Sequence, residues 1–226
     1  MKTLLSIALI CLSLVGCSSA QDCKEGNNLL PMYGGLPKCD QQLKADKDFF
    51  AFVDTKFDSR SSASLSYAKL GWDYFYKNDL ETSMKRFNQA WLLDSLNANV
   101  YWGFGNLLGR QQQFQVSIPH FEKSLKLKPN NSKVYESIAS SYGQLFASSQ
   151  KREFLDKAVD ALKKADALDR SNARILSQLT SAYSYFKQKD SAIKYLKLTD
   201  KIDPKAINPQ VRKLLKQNKR KLRLIF

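Results

Sequence analysis

Residues 98–131 read ANVYWGFGNLLGRQQQFQVSIPHFEKSLKLKPNN, and moving along the chain from this stretch in steps of one unit returns the same residue types at the same places. Gly105 belongs to a column Gly71, Gly105, Ala139, Thr180, with gaps of 34, 34 and 41. Phe121 belongs to a second, Phe87, Phe121, Leu162, Leu196, with gaps of 34, 41 and 34. Tyr67, Tyr101, Tyr135 and Leu176 precede the first column by four, and Ala90, Ser124, Ala165 and Thr199 follow the second by three. Agreement across so many columns marks a solenoid of short structural repeats.

The residue types follow from the packing such a unit needs. Each has apolar residues at helical spacing, a polar interruption such as KND at 77–79, a second helical run, and a closing turn DSLN, KPNN, DRSN or DPKA. The small columns predict close approach of two helices, with the Phe or Leu column filling the layer between them. A single hairpin leaves an apolar face uncovered, so the units must stack.

These columns resemble the tetratricopeptide repeat, whose W-x2-L-G-x2-Y, A-x3-F, A and P positions correspond to Tyr67, Leu70, Gly71, Tyr74, Ser83, Phe87, Ala90 and Ser95 in one copy. Tyr101, Phe104, Gly105, Ser117, Phe121, Ser124 and Pro129 correspond in the next. The resemblance implies an all-α, right-handed solenoid of about four helix-turn-helix units, at 64–97, 98–131, 132–172 and 173–206. A capping helix is expected on each side. The third unit carries seven extra residues between Tyr142 and Ala158, and because 144–170 contains no Gly or Pro, longer helices are expected there rather than a loop.

Ahead of the repeats stand Lys2 and the apolar run LLSIALICLSLV, too short to span a bilayer about 30 Å thick but suited to a signal peptide at 1–16. It ends in LVGC, which resembles a bacterial lipobox. That implies cleavage before Cys17, lipidation of Cys17, and a mature chain anchored to the cell envelope, with the outer membrane facing the periplasm favoured. Cleavage after Ala20, giving a soluble periplasmic protein, is the alternative. In an exported chain Cys23 and Cys39 form an even pair in a compartment where disulfides persist. A bond between them would close CKEGNNLLPMYGGLPKC within the segment 17–63, whose later part, with Leu43, Phe49, Phe50, Val53 and Phe57, reads as an amphipathic cap.

The chain carries 36 basic and 21 acidic residues, and loss of Lys2 lowers the net charge of +15 to about +14. An excess this large points to an anionic neighbour. Segment 207–226 holds Arg212, Lys213, Lys216, Lys219, Arg220, Lys221 and Arg223 and no acid, with Asn208 and Pro209 placed to start a helix. It reads either as a solvated cap over the fourth unit or as a contact for anionic lipid head groups or an acidic partner. Export argues against nucleic acid.

No catalytic constellation is present. His120 is the only histidine and has no Ser or Cys partner in a triad-like context, GFG at 103–105 lies within a helical run, and acids such as Asp46 and Asp48 fall on polar faces. Neither a metal nor a cofactor is expected. The resemblance instead implies binding on the concave surface formed by the first helix of each unit. Its ligand-facing positions correspond to Lys69, Trp72 and Phe75, to Asn99, Trp102, Asn106 and Arg110, to Lys133 and Glu136, and to Arg174, Gln178 and Tyr185. Aromatic rings among polar groups suit an extended peptide or a partner helix; packing of Trp72 and Trp102 against adjacent helices is the alternative reading. A carboxylate clamp of the kind used by chaperone-tail binders of this family would need Lys and Asn where Ala68 and Trp72 stand, so that ligand class is disfavoured.

Overall fold

The computed structural model describes Cys23, residues 26–186 and residues 188–223, the last seven of these by backbone alone. The expected signal peptide and Cys17 lie outside the described residues.

Ten α-helices are described, with no strand among the described residues: α1 Asp40–Asp54, α2 Arg60–Tyr76, α3 Leu80–Leu93, α4 Ala98–Arg110, α5 Phe114–Leu127, α6 Ser132–Ser149, α7 Arg152–Leu168, α8 Ala173–Tyr185, α9 Lys189–Ile202 and α10 Pro209–Arg223. The hairpins α2/α3, α4/α5, α6/α7 and α8/α9 are the four repeats, and each packs on the next. Three of the closing turns set where the next repeat starts, because the asparagine that ends each of DSLN, KPNN and DRSN caps the following helix. Asn97 Oδ1 accepts from Asn99 N at 3.0 Å, Asn131 from Lys133 N at 3.2 Å, and Asn172 from Arg174 N at 3.1 Å. The first repeat begins earlier than its sequence boundary at 64, since Ser59 caps α2 by accepting from Ser62 N at 3.1 Å.

The columns become contacts. A Cβ added to Gly71 would lie 2.9 Å from the Phe87 ring, and one on Gly105 would clash with the edge of the Phe121 ring. What requires glycine is therefore the ring of the second column rather than a neighbouring backbone. Hydroxyls exploit the same closeness: Ser83 Oγ donates to the Gly71 carbonyl and Ser124 Oγ to the Ala98 carbonyl, each at 2.8 Å. The seven extra residues lengthen both helices of the third repeat, to 18 residues in α6 and 17 in α7 against 13 in α4 and 14 in α5.

At the first end α1 covers the open repeat, with Val53 packed against Ala63 and Leu93. Cys23 is bonded to Cys39, the residue just before α1. Two 3-10 turns in the loop so closed, Asn27–Leu29 and Pro31–Gly35, dock on α3, where the buried Asn88 amide donates to the Asn28 and Leu30 carbonyls at 2.8 and 2.9 Å. At the other end Leu215 of α10 is buried in the core of the last two repeats. Arg212 clamps α10 to α9 through Asp200, with Nη2 to Oδ1 at 2.6 Å.

Candidate functional site

Helices α2, α4, α6 and α8 line the concave side. Between α4 and α6, with α2 as its edge, lies a cleft of about 620 Å³. Trp72 and Phe75 come from α2, Trp102, Asn106 and Arg110 from α4, Lys133 and Glu136 from α6, and Arg174 and Gln178 from α8. Nine of the residues placed in the groove from sequence thus meet in one recess.

The other three are placed differently. Lys69 is exposed on α2 and lines neither of the two concave clefts described here. Asn99 accepts the Trp72 indole N–H at 3.0 Å and so fixes an aromatic wall. Tyr185 belongs to a second cleft one repeat further on.

The tryptophans are wall as much as surface. Trp72 is only 9% exposed, wedged against Phe75, Phe87 and Trp102, whose ring lies 4.3 Å away centre to centre. The half-buried Trp102 donates its indole N–H to Ser137 Oγ at 3.0 Å. With both indole donors engaged, the rings can offer a ligand apolar area but no hydrogen bond.

The charges are unbalanced. Glu136 is buried and accepts from Arg174 Nη2 at 2.6 Å and Gln178 Nε2 at 3.1 Å. Burial of a carboxylate is tolerable when it is paired and hydrogen-bonded in this way. Arg174 is therefore committed. Arg110 donates to Asn78 Oδ1 and lies over the Phe75 ring at 5.6 Å, but it meets no carboxylate among the described residues, and neither does Lys133. Two cations in the cleft are left without an anionic partner.

The second cleft, about 400 Å³ between α6 and α8, was not legible as a site. Phe146, Ala147, Leu155, Ala182 and Tyr185 give it an apolar character, and Ser140 and Gln144 belong to both clefts. Gly109 and Gly143, 34 residues apart, are the sequence signal that could have pointed to it. Each lines a cleft, and a Cβ added to either would meet nothing within 4 Å.

Within the basic tail, Arg212 is held by Asp200 while Lys213 and Lys216 are exposed. The side chains of Lys219, Arg220, Lys221 and Arg223 lie outside the described residues. His120 is half-buried on α5 beside the Phe104 ring, 5.8 Å away, and burial holds it below the usual histidine range. No group of three metal-ligating side chains converges among the described residues, and no described helix is long and apolar enough to cross a membrane.

Residues 98–131 match the family model for the tetratricopeptide repeat. No curated protein matches the chain in sequence. Among solved structures, a thermophilic tetratricopeptide-repeat protein of Thermus thermophilus, TTC0263, is 16% identical with a TM-score of 0.55, over 67% of this chain and 79% of that one. MamA is 18% identical with a TM-score of 0.56, over 71% and 88%. YrrB, described as a tetratricopeptide-repeat protein with an unusual peptide-binding site, is 19% identical with a TM-score of 0.51, over 79% and 86%. Four stacked hairpins, glycines set beneath the recurring rings and a second hairpin recognisable from its own sequence all say the same thing: this chain has the fold of a tetratricopeptide-repeat solenoid.

Proposed function

We propose that this chain is a non-enzymatic scaffold that holds a segment of a partner protein across α4, α6 and α8. The observation that carries this reading is the concave cleft in which Arg110 and Lys133 stand, without carboxylate partners among the described residues, beside fixed aromatic walls. Such a surface offers area for side chains and unspent charge for an acid, which is how a groove gains both affinity and register. The peptide-binding site named for YrrB supports the same use of the fold. Reversing both charges, Arg110→Glu with Lys133→Glu, should abolish capture of the partner by chemical crosslinking in native membranes while leaving helical circular dichroism unchanged. Capture that survives in the folded double variant would sink the groove as the binding surface.

The scaffold is read as anchored to the envelope through Cys17, on the strength of the LVGC sequence. Cys17→Ser should move the protein from the detergent phase to the aqueous phase on temperature-induced phase separation. A wild-type chain already in the aqueous phase and beginning at Gln21 would end the lipoprotein reading.

One surface favours a second role. Lys194, Lys197 and Lys201 face a shallow recess on α9 with Ile193, Leu198 and one acid, Asp190. A cationic stripe with apolar flanks suits an anionic lipid surface. Phosphatidylglycerol vesicles should sediment the protein at low salt, and charge reversal of these lysines should stop it; equal sedimentation of the variant would discard this role.

A further inference from the structure

The seven extra residues of the third repeat reshape the concave side. The two clefts are the same inter-repeat space shifted by one unit. Gly105, Asn106, Gly109 and Arg110 of α4 correspond to Ala139, Ser140, Gly143 and Gln144 of α6, each 34 residues on. The facing wall changes from Ser140, Ser141 and Gln144 to Ser181, Ala182 and Tyr185, each 41 residues on. Along these pairs a guanidinium becomes an amide, a hydroxyl becomes a methyl and an amide becomes a ring.

The insertion then adds a rim that the first cleft lacks. Helix α4 ends at Arg110, the counterpart of Gln144, whereas α6 continues to Ser149. Phe146 and Ala147 stand on that extra length and line the second cleft, with the Phe146 ring 5.8 Å from that of Tyr185. Tyr185 is 69% exposed, a large apolar ring left with its outer face uncovered.

We infer that the insertion builds a specificity pocket for a large apolar side chain, so that the ligand is an extended peptide carrying an acid in the first cleft and a Leu-sized or aromatic residue in the second. This rests on the groove reading proposed above. Charge complementarity selects the acid, because Arg110 and Lys133 meet no carboxylate among the described residues, and it rejects the chain's own basic tail as occupant. Ser140 and Gln144 line both clefts and hydrogen-bond to no other described residue, so their hydroxyl and amide are available to the peptide main chain between its two anchors. Packed helices lie about 8–10 Å apart and an extended chain advances about 3.3 Å per residue, so clefts one unit apart correspond to a spacing of about three residues.

The test is selection of phage-displayed random dodecapeptides on the full chain, followed by fluorescence anisotropy with a synthetic peptide of the resulting consensus. The expected consensus pairs Asp or Glu with Phe, Trp or Leu about three positions away. Ala147→Trp, an exposed site, should fill the pocket, weaken the consensus peptide by about thirtyfold as loss of a buried anchor does, and select peptides that keep the acid but lose the apolar residue. Tyr185→Ala, also exposed, should instead relax the apolar position, and circular dichroism checks that both variants are folded. A consensus with no apolar position, or undiminished binding of the consensus peptide by both variants, overturns the pocket while leaving the groove standing. Failure to enrich any peptide, or enrichment indifferent to Arg110→Glu, overturns the groove reading and the pocket with it. A dimer of the chain that Ala147→Trp converts to monomer in sedimentation assigns the cleft to a second copy and likewise overturns the peptide.

Discussion

The first two repeats and the last two solve one packing problem in different ways. In the first pair, phenylalanine rings lie directly on glycine: Phe87 on Gly71 and Gly103, Phe121 on Gly105. In the second pair Ala139 and Thr180 take the small position and Leu162 and Leu196 replace the rings. A flat ring against bare backbone fills space tightly but leaves no room for adjustment. Leucine is flexible where a ring is rigid, so the second pair is expected to adjust more readily, and the seven extra residues fall in that half; the Thr180 hydroxyl is spent on its own helix, donating to the Leu176 carbonyl at 2.9 Å. External support divides the same way. The disulfide-closed loop braces α3, whereas the last repeat is braced by α10 and the Arg212–Asp200 pair.

The first half can be watched by fluorescence because the three tryptophans of the chain belong to its sequence, Trp72 and Trp91 within it and Trp102 at its border, where the indole bonds to Ser137. The largest expected effect comes from removing the bridge. Cys23→Ser with Cys39→Ser opens a loop of sequence separation 16, and loop-closure entropy puts the cost at about 3 kcal/mol. In a solenoid whose units contact only their neighbours the loss should stay local. Urea midpoints followed by tryptophan fluorescence should fall, while amide exchange in α8 and α9 is unchanged. A uniform loss along the chain would mean that the two halves unfold as one.

Next is the ring-on-glycine contact. Gly105→Leu should cost about 1–3 kcal/mol, the usual range for overpacking, because even a Cβ meets the Phe121 ring. Leu at Ala139, the same column in the third repeat, should cost less if the second half is the more tolerant. Equal costs, measured by chemical denaturation, would erase the distinction.

The period made much of this legible. Small and aromatic columns recur because each repeat faces the same neighbour, so Gly71, Gly105, Phe87 and Phe121 could be assigned contacts before any coordinates, and the absence of Gly and Pro in 144–170 announced longer helices. What repeats only once was hidden. Docking of the loop on Asn88 joins residues 58 and 60 apart with no periodic partner. Trp72 sits at a ligand-facing position, but the indole of the next repeat closes over it, so position alone overstated its exposure. The second cleft depends on how far α6 overhangs α8, which composition does not encode. Arg212 reads as one more charge of a basic tail until Asp200, 12 residues earlier, is brought beside it.

A smaller effect separates glycines kept for packing from glycines that packing does not need. Gly143 lies inside α6 with open space where its Cβ would be. Gly143→Ala should stabilise the fold by about 0.5–1 kcal/mol, since alanine loses less backbone freedom in a helix. If the second cleft receives a peptide, the same change should weaken the consensus peptide while raising the melting temperature. A destabilised variant would show that the glycine serves the helix after all.

The smallest effect is a difference in acid sensitivity. Each half holds a partly buried titrating group, and the two are shifted in ways that oppose each other. His120, in the second repeat, is held below the histidine reference of 6.5 because burial disfavours its cation. Between its folded pKa and that reference the unfolded chain binds more protons than the folded one. The stability His120 contributes is therefore complete above 6.5 and is lost as pH falls through that window. Asp166, in the third repeat, is raised above the carboxylate reference of 3.8, chiefly by burial. Its folded form binds the extra proton, so acidification through its window strengthens rather than weakens the second half. Lowering the pH from 7 to 5.5 should thus reduce the urea midpoint seen by tryptophan fluorescence, and His120→Gln should flatten that response without altering the value at neutral pH by a comparable amount. Since His120 is the only histidine, a response that persists undiminished in the folded variant would place the acid-sensitive group elsewhere and remove this contrast between the halves.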